Sequence, residues 1–266
     1  MSKIDHAMHQ LHSLESMAKE ERWINRLHPS VKLFLTILYV VLTVSFSKYQ
    51  LAGLLGMVIY PAALFIVAEL SLKDALWRLR IVLPLVCIVG AANPFLDRTA
   101  AMNLGGIVVS GGVLSMLSLM LKGVLAVLAS YLLIATTSIE KICYALRQAH
   151  VPKILVTEIL LIYRYITVLL SETRRVVTAY SLRAPKQKGI AFAAWGPLAG
   201  QMLLRSMDRA ERVYQSMCLR GFRGEFCFGG TGAPGRTDVL WLVFWTAMLL
   251  VLRFVPVMEI VGGLFV

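Results

Sequence analysis

Long apolar runs constrain the fold of this chain more than any other feature of its sequence. The longest, Ile107 to Ala135, has 29 residues and is interrupted by Gly111-Gly112 and Lys122. A helix that crosses a bilayer needs about 20 residues, with about 17 as a lower limit. Four other runs come near or exceed that length: Val31 to Ser47, Leu51 to Leu70, Ile81 to Leu96 and Val239 to Val266. The sequence therefore predicts an all-α, polytopic helical membrane protein with about five spans.

Composition and charge indicate a membrane protein with a basic cytoplasmic region. Hydrophobic residues make up 58% of the chain and charged residues only 16%, whereas soluble domains contain about 25% charged residues. The net charge is +12, and Lys141 to Glu225 alone carries 14 Lys and Arg against 5 Asp and Glu. Such clustering is typical of a cytoplasmic face under the positive-inside rule. A nucleic-acid partner is not expected, because the basic residues lack interleaved aromatic side chains that stack on bases.

The apolar runs and the charges together predict five segments, with the amino terminus in the cytoplasm. They are a cytoplasmic amphipathic segment (1–30), membrane spans 1 to 4 (31–135), a cytoplasmic region with two long helices (136–228), a flexible connector (229–238) and a last membrane span (239–266). Ser71 to Arg80 is expected to be a basic inner loop, and Asp97 to Gly106 an outer loop. The first 30 residues lack the apolar core of a cleavable signal and are predicted to form one surface helix that stops at His28-Pro29.

Lys122 lies near the middle of the longest apolar run. A lysine that faced lipid there would cost about 2.5 to 3.5 kcal/mol. We therefore expect Lys122 to face other helices or to extend toward an interface. The functional alternative is a lysine that couples to a transported ion.

Patterns that bind metals or form disulfides are weak in this sequence. His6, His9 and His12 recur at every third position and could form a metal site on a helix, but exposed histidines on a polar helix need no such role. No metal site is predicted. The cysteines have no paired spacing and are expected to be free thiols; they are Cys87, Cys143, Cys218 and Cys227.

Two long basic helices are predicted in the cytoplasmic region. The first begins with Leu155 to Leu170, which we place along the inner membrane surface because Glu158 and Arg164 interrupt its apolar residues. This helix should continue to Arg183 and end at Ala184-Pro185, since the residue before a proline avoids helical geometry.

The second helix should start near Pro197 and end at Gly221, which can adopt a left-handed conformation. Its apolar stripe is predicted from a 4-3-4-3 spacing: Leu203, Met207, Ala210, Tyr214 and Met217. Its polar side carries Arg205, Asp208, Arg209 and Arg212. The spacing of Asp208 and Arg212 predicts an ion pair.

Both helices end in leucine, arginine and a small residue. Leu182-Arg183-Ala184 closes the first, and Leu219-Arg220-Gly221 closes the second. A cation near a helix C-terminus is stabilised by the helix dipole by about 0.3 to 1 kcal/mol, which would explain either arginine alone. The repetition favours docking to a partner protein, because an arginine beside a small residue can reach into a recess and bind a carboxylate.

With these two helices the chain resembles the transmembrane coupling subunit, or T component, of energy-coupling factor transporters, and in particular the cobalt-type CbiQ family. The resemblance covers nearly the whole chain. The segments that carry it are Leu27 to Leu33, Asn93-Pro94, Ser181 to Ala184, and Arg205 to Tyr214 leading into Leu219 to Phe222. The more common Ala-Arg-Gly of the family is replaced here by Leu-Arg-Ala and Leu-Arg-Gly.

The resemblance implies a non-catalytic subunit of an ABC importer that needs no cofactor. Two copies of an ATPase subunit would bind Arg183 and Arg220 with their neighbours Leu182, Ala184, Leu219 and Gly221, while Arg205, Asp208, Arg209 and Arg212 would support the helices. Motion would pass to a separate, CbiM-like substrate-binding membrane subunit that imports cobalt or nickel ion. The expected location is the cytoplasmic membrane of a bacterium or archaeon.

Other function classes find less support in the residues. Gly230 to Thr237 resembles a phosphate loop, but Arg236 stands where the lysine belongs and an apolar run follows, so no ATP site is expected. The main alternative function is a self-contained secondary transporter, which would need charges at the middle of the membrane and an inverted repeat. Lys122 alone offers little support for it. An enzyme would need paired acids or a nucleophile with a base, and the sequence suggests neither.

Overall fold

A computed structural model describes residues 13, 15–18, 20, 22–47, 50–91, 100–104, 107–185, 187, 189–224, 226 and 232–254. The chain divides into two compact units. After the roles expected from the sequence, we call residues 17–138 with 232–266 the membrane unit, and residues 1–16 with 139–231 the coupling unit. Helices dominate both units, so the predicted all-α membrane protein is confirmed.

The helices of the membrane unit are α1 (Trp23–Arg26), α2 (Pro29–Ser45), α3 (Leu51–Gly56), α4 (Ile59–Val67), α5 (Leu72–Ala91), α6 (Gly111–Thr136) and α10 (Arg236–Phe254). Those of the coupling unit are α7 (Ile139–Gln148), α8 (Lys153–Arg183) and α9 (Phe192–Leu219). Among the described helices, α6, α8 and α10 are long and apolar enough to cross a bilayer. The count of about five spans, and the placement of the first part of α8 along the inner surface, stay predictions.

A β-hairpin replaces the start of the longest predicted span. Strand β1 (Ala100–Leu104) pairs antiparallel with β2 (Ile107–Ser110), and α6 begins only at Gly111. The prediction of one helix from Ile107 is therefore wrong, whereas the assignment of Asp97 to Gly106 to an outer loop stays a prediction. Ile107, Val108 and Val109 are β-branched, which favours a strand over a helix.

The second predicted span, Leu51 to Leu70, is broken into α3 and α4 by a turn at Met57 and Val58. Pro61 explains the break, because it has no N–H to donate to the carbonyl four residues earlier. That carbonyl belongs to Met57 and accepts a hydrogen bond of 3.0 Å from the Tyr39 hydroxyl instead. A side chain from α2 thus replaces the missing bond of the helix.

Helix α5 includes most of the segment that was predicted to be an inner loop. It begins at Leu72 and continues through Pro84 to Ala91, so the predicted loop from Ser71 to Arg80 is wrong. Leucine, lysine, alanine and arginine are good helix formers, and they extend the helix ahead of its apolar part. Asn93-Pro94 lies outside the described residues.

The amino-terminal segment is not the single helix that was predicted. Residues 15–18 are helical, Arg22 is extended with φ −83° and ψ 150°, and α1 follows. The Asn25 side chain, which is buried, donates hydrogen bonds to the carbonyls of Met17 and Glu20. This buried asparagine therefore connects the short helical stretch at residues 15–18 to α1. The expected stop at His28-Pro29 is confirmed, because α2 begins at Pro29. His6, His9 and His12 lie outside the described residues.

Lys122 caps the end of a neighbouring helix. Its Nζ donates to the carbonyls of Val44 and Phe46, at 3.0 Å for Val44, at the C-terminus of α2. Arg253 donates to the Ser45 carbonyl between them at 3.0 Å. The last carbonyls of a helix have no partner within that helix, so both cations satisfy acceptors that would otherwise be unpaired. This confirms that Lys122 faces other helices.

Candidate functional site

Helix α8 ends where the sequence predicts, at the first of the two repeated motifs. Arg183 is its last residue, and Ala184 leaves helical geometry at φ −126° and ψ 61°. Pro185 disfavours the helical conformation of the residue before it. The Ala184 N–H still donates to the Tyr180 carbonyl at 3.0 Å, so the backbone at Arg183 remains ordered.

Helix α9 ends in a Schellman motif at the second repeated motif. Gly221 has φ +81°, its N–H donates to the Cys218 carbonyl, and the Phe222 N–H donates to the Met217 carbonyl, both at 3.0 Å. Only glycine adopts that conformation without steric cost. The predicted left-handed cap at Gly221 is confirmed, and it fixes the backbone next to Arg220.

The start of α9 differs from the prediction. The helix begins at Phe192, and Pro197 lies inside it rather than at its first turn. Pro197 removes one hydrogen bond to the carbonyl of Ala193. Because Pro197 lies near the amino end of a 28-residue helix, the loss of one hydrogen bond does not end the helix.

Both motifs present an exposed leucine beside an exposed arginine. Leu182 is 76% exposed and Leu219 is 90% exposed, and Arg183 and Arg220 are exposed as well. Burying a leucine side chain is worth about 1.5 to 3 kcal/mol. We refer to residues 182–184 and 219–221 as the two tips. Each tip therefore combines an apolar side chain that a partner could cover with a cation that it could bind.

The two helices run in opposite directions where they contact. Arg205 on α9 forms an ion pair of 2.8 Å with Glu172 on α8, and the Thr173 hydroxyl lies 3.9 Å from the Met202 sulfur. Beyond this contact, the second half of α9 faces the first half of α8 across a cleft. With a rise of 1.5 Å per residue, Arg183 lies about 16 Å beyond Glu172, and Arg220 lies about 22 Å beyond Arg205 in the opposite direction. The structure therefore separates the tips widely.

The turn between the helices is held by a tyrosine. The Tyr180 hydroxyl lies 2.8 Å from Oε1 of Gln187 and accepts a hydrogen bond of 3.3 Å from the Ala191 N–H. These contacts connect the last turn of α8 to the residues just before α9. Tyr180 was not singled out in the sequence, because the spacing of a hydrogen bond across a turn leaves no periodic signal.

A cationic cleft of about 870 Å³ separates α8 from α9. Its charged lining consists of Arg164, Glu172, Arg205, Asp208, Arg209, Arg212 and Arg220. The polar residues predicted to support α9 are thus brought together with one of the tip arginines, while Arg183 lies elsewhere. Five cations against two carboxylates make the cleft attractive to acidic groups.

The predicted ion pair between Asp208 and Arg212 does not form. The Arg212 Nε donates to the main-chain carbonyl of Asp208 at 3.2 Å. Among the charged residues of the cleft, Arg205 instead forms an ion pair with Glu172 of α8. Sequence spacing within one helix cannot identify a partner on another helix, so Glu172 was missed.

The apolar stripe of α9 is only partly covered. Ala210, Tyr214 and Met217 line an apolar groove of about 600 Å³ against α8, but of the five stripe residues only Met217 is half-buried, and the other four are exposed. The predicted stripe is therefore present as a surface. Its uncovered part is available to another protein or to lipid.

Helix α7 packs its amphipathic face inside the coupling unit. Cys143 is fully buried, and the Arg147 side chain donates to the Phe226 carbonyl at 3.1 Å. Burial raises the pKa of the Cys143 thiol, and the nearby Glu140 carboxylate adds to the rise. Of the predicted free thiols, Cys87, Cys143 and Cys218 are free and Cys227 lies outside the described residues.

Comparison with known proteins supports the resemblance seen in the sequence. A model of the CbiQ family, described as a cobalt transport protein, matches residues 20–227, which is most of the chain. The chain is also 24% identical, over 226 residues, to an energy-coupling factor transporter transmembrane protein, EcfT, from Leuconostoc gelidum subsp. gasicomitatum. That similarity covers 76% of this chain and 80% of the relative.

Proposed function

We propose that this chain, which belongs to the CbiQ family of cobalt transport proteins, is the transmembrane coupling subunit of an energy-coupling factor importer. In this proposal it binds two copies of an ABC ATPase subunit and one separate, CbiM-like substrate-binding membrane subunit. ATP hydrolysis occurs in the ATPases, and this chain transmits their motion without catalysing a reaction. The complex imports cobalt or nickel ion across the cytoplasmic membrane of a bacterium or archaeon.

The observation that carries the proposal is the pair of exposed tips on two long helices. A leucine that is mostly exposed and an arginine that is exposed occur together at both ends. An arginine can form a bidentate contact with a carboxylate, and a desolvated contact of this kind is stronger than a neutral hydrogen bond. Two such tips pointing in opposite directions suit two identical partners, one for each tip.

The contact between α8 and α9 gives the tips a common support. The ion pair between Arg205 and Glu172 joins the two helices, and Tyr180 holds the turn that connects them. A force applied to either tip is therefore transmitted to both helices. This is the behaviour expected of elements that move as a body during a domain rearrangement.

The cationic cleft supplies a second surface for an acidic partner. Arg209 and Arg212 line it together with Arg220. We assign Arg205 and Asp208 to support of the helices and Arg209 and Arg212 to the attraction of acidic groups near the second tip. This long-range attraction would weaken as salt concentration rises, because exposed charges more than about 10 Å apart are screened at 0.1 M salt.

Co-purification of the tagged chain with its ATPase subunits tests the proposal. We expect Arg183→Ala combined with Arg220→Ala to lower ATPase retention by about tenfold or more, because two charge-assisted contacts are lost. Arg175→Ala is the matched control, since Arg175 is an exposed arginine on α8 two turns before the tip. Full retention and uptake in the double variant would refute the docking role. Uptake by the chain without any ATPase would instead favour a secondary transporter.

A further inference from the structure

The segment from Leu27 to Leu33 joins three separated parts of the membrane unit. The Lys32 Nζ donates to the Thr136 carbonyl at 2.9 Å. The His28 Nε2 lies 3.1 Å from the Gly232 carbonyl, and the His28 main-chain N–H donates to Oδ1 of Asp238 at 2.9 Å. Lys32 and His28 are each only 7% exposed. These contacts therefore lie in the interior of the unit.

The partners of this segment occupy special positions in the chain. Thr136 is the last residue of α6, and the coupling unit begins three residues later at Ile139. Gly232 is the first residue of the membrane unit after the coupling unit ends at residue 231. His28 and Lys32 thus contact the two places where the chain leaves the membrane unit for the long helices and returns from them.

The return point is fixed further by Asp238. Its Oδ2 accepts a hydrogen bond of 2.8 Å from the Gly235 N–H, while its Oδ1 accepts the His28 N–H. The residues just before α10 are therefore bound at Gly232 and at Gly235, and the first turn of α10 is bound at Asp238. Glycine-rich segments without such contacts behave as flexible linkers.

We propose that His28 and Lys32 form an anchor that makes both crossing points stiff, so that displacement of the coupling unit reaches α2, α6 and α10 of the membrane unit. The inference rests on the proposed coupling function and extends it to two buried residues of the membrane unit. If the chain were flexible where it passes between the two units, a displacement of the coupling unit would change only the conformation of those connecting residues. Because these residues are bound to a buried helix, the displacement must also move that helix. His28 and Lys32 are positioning residues in this mechanism.

The test uses the complete complex of this chain with its ATPases and substrate-binding subunit, reconstituted in vesicles with Co²⁺ or Ni²⁺ as the transported probe. Lys32→Met keeps the length of the side chain and removes its donor. We expect it to retain the ATPases and hydrolyse ATP while uptake per ATP hydrolysed falls about tenfold, the factor that corresponds to one lost hydrogen bond from a charged group. Lys32→Arg, which restores a donor, should recover most of the ratio.

Lys122→Met is the matched control. Lys122 also caps the C-terminus of a helix, but it does so at Val44 and Phe46, about 20 Å along α6 from Thr136 at 1.5 Å per residue. Lys122→Met should lower the thermal stability of the complex and leave uptake per ATP unchanged. A loss of stability alone therefore does not reproduce the effect expected for Lys32.

A second variant covers the case in which Lys32→Met fails to fold. His28→Phe keeps an aromatic ring and the main-chain N–H to Asp238 but removes the contact with Gly232 and the Nδ1 that accepts the Ser30 N–H at the start of α2, and the same fall in uptake per ATP is expected. An unchanged ratio in a folded Lys32→Met or His28→Phe complex would overturn the anchor. Absence of ATP-driven uptake by the wild-type complex would contradict the proposed function instead, and the anchor would fall with it.

Discussion

At the scale of single residues, Cys218 can report on the second tip. It is exposed and lies two positions before Arg220, on the last turn of α9. If an ATPase covers this tip, its contact should shield the thiol. The two buried or partly buried thiols of the described chain, Cys143 and Cys87, lie elsewhere and are not expected to change.

We predict that maleimide labels Cys218 quickly in the isolated chain and at least about fivefold more slowly in the complex with the ATPases, as expected for a residue under an interface core. The measurement uses a variant in which Cys218 is the only cysteine. Equal labelling rates with and without the ATPases would contradict docking at this tip.

Cys143 provides a control, because the direction of the shift in its thiol pKa is known. The thiolate is the reactive form, and the raised pKa of the buried Cys143 thiol means that it deprotonates at a higher pH than an ordinary thiol. Labelling of a variant with Cys143 as its only cysteine should therefore be slow at neutral pH, increase only as the pH rises above the ordinary thiol range, and not depend on the ATPases.

At the scale of helices and turns, the ends of α8 and α9 differ in how they hold their arginines. Ala184 ends α8 because Pro185 follows it, whereas α9 needs the left-handed Gly221 to form its Schellman motif. The second tip therefore depends on one backbone conformation. This dependence makes Gly221 the more sensitive position.

We predict that Gly221→Ala destabilises the end of α9 by about 1 kcal/mol, because a residue with Cβ disfavours positive φ, and that ATPase binding weakens with it. Gly221→Asn should retain most of the binding, since asparagine tolerates this conformation. Gly200→Ala is the control, because Gly200 lies inside α9 with open space around it. Binding measured by titration with purified ATPase decides the outcome. Equal affinity of Gly221→Ala and wild type would show that the cap does not orient the tip.

Two glycines allow α5 and α6 to pack closely against each other. A Cβ on Gly123 of α6 would lie 3.1 Å from the Val86 side chain of α5, and a Cβ on Gly90 of α5 would lie 3.3 Å from Met116 of α6. Small residues let helices in a membrane approach closely. The two glycines thus set the distance between these helices, which the hydropathy of the runs does not reveal.

At the scale of the whole molecule, the separation of the tips governs how many ATPases bind. Arg183 and Arg220 lie in opposite directions from the contact between Arg205 and Glu172. Sites that share no partner residues usually act additively. Each tip should therefore bind one ATPase copy largely independently, although the two copies could also contact each other.

We predict that Arg183→Ala alone or Arg220→Ala alone yields complexes with one ATPase per chain, whereas the wild type carries two and the double variant few. Native mass spectrometry of the purified complex counts the copies. Loss of both copies in each single variant would show that the ATPases bind as a preformed pair. In that case the tips form one composite site rather than two.

Local chemistry made several features of this protein predictable. Ala184-Pro185 and Gly221 ended the long helices as expected, because a proline or a left-handed glycine acts through its own backbone. The leucine and arginine of each tip were visible for the same reason, because the same order of leucine, arginine and a small residue recurs at the end of each helix. The membrane class followed from the length of the apolar runs, although the β-branched Ile107 to Val109 and Pro61 changed where the helices begin and end.

The sequence by itself determined the membrane class, the two long basic helices and the ends that carry Arg183 and Arg220. Only the tertiary structure decided that Glu172 pairs with Arg205, that Lys122 caps α2, and that His28 and Lys32 contact Gly232 and Thr136. The physical reason is the distance along the sequence between the residues that interact. Helix ends depend on neighbours a few positions away, whereas each of these contacts joins residues between 33 and 204 positions apart, and no periodic pattern encodes such a pairing.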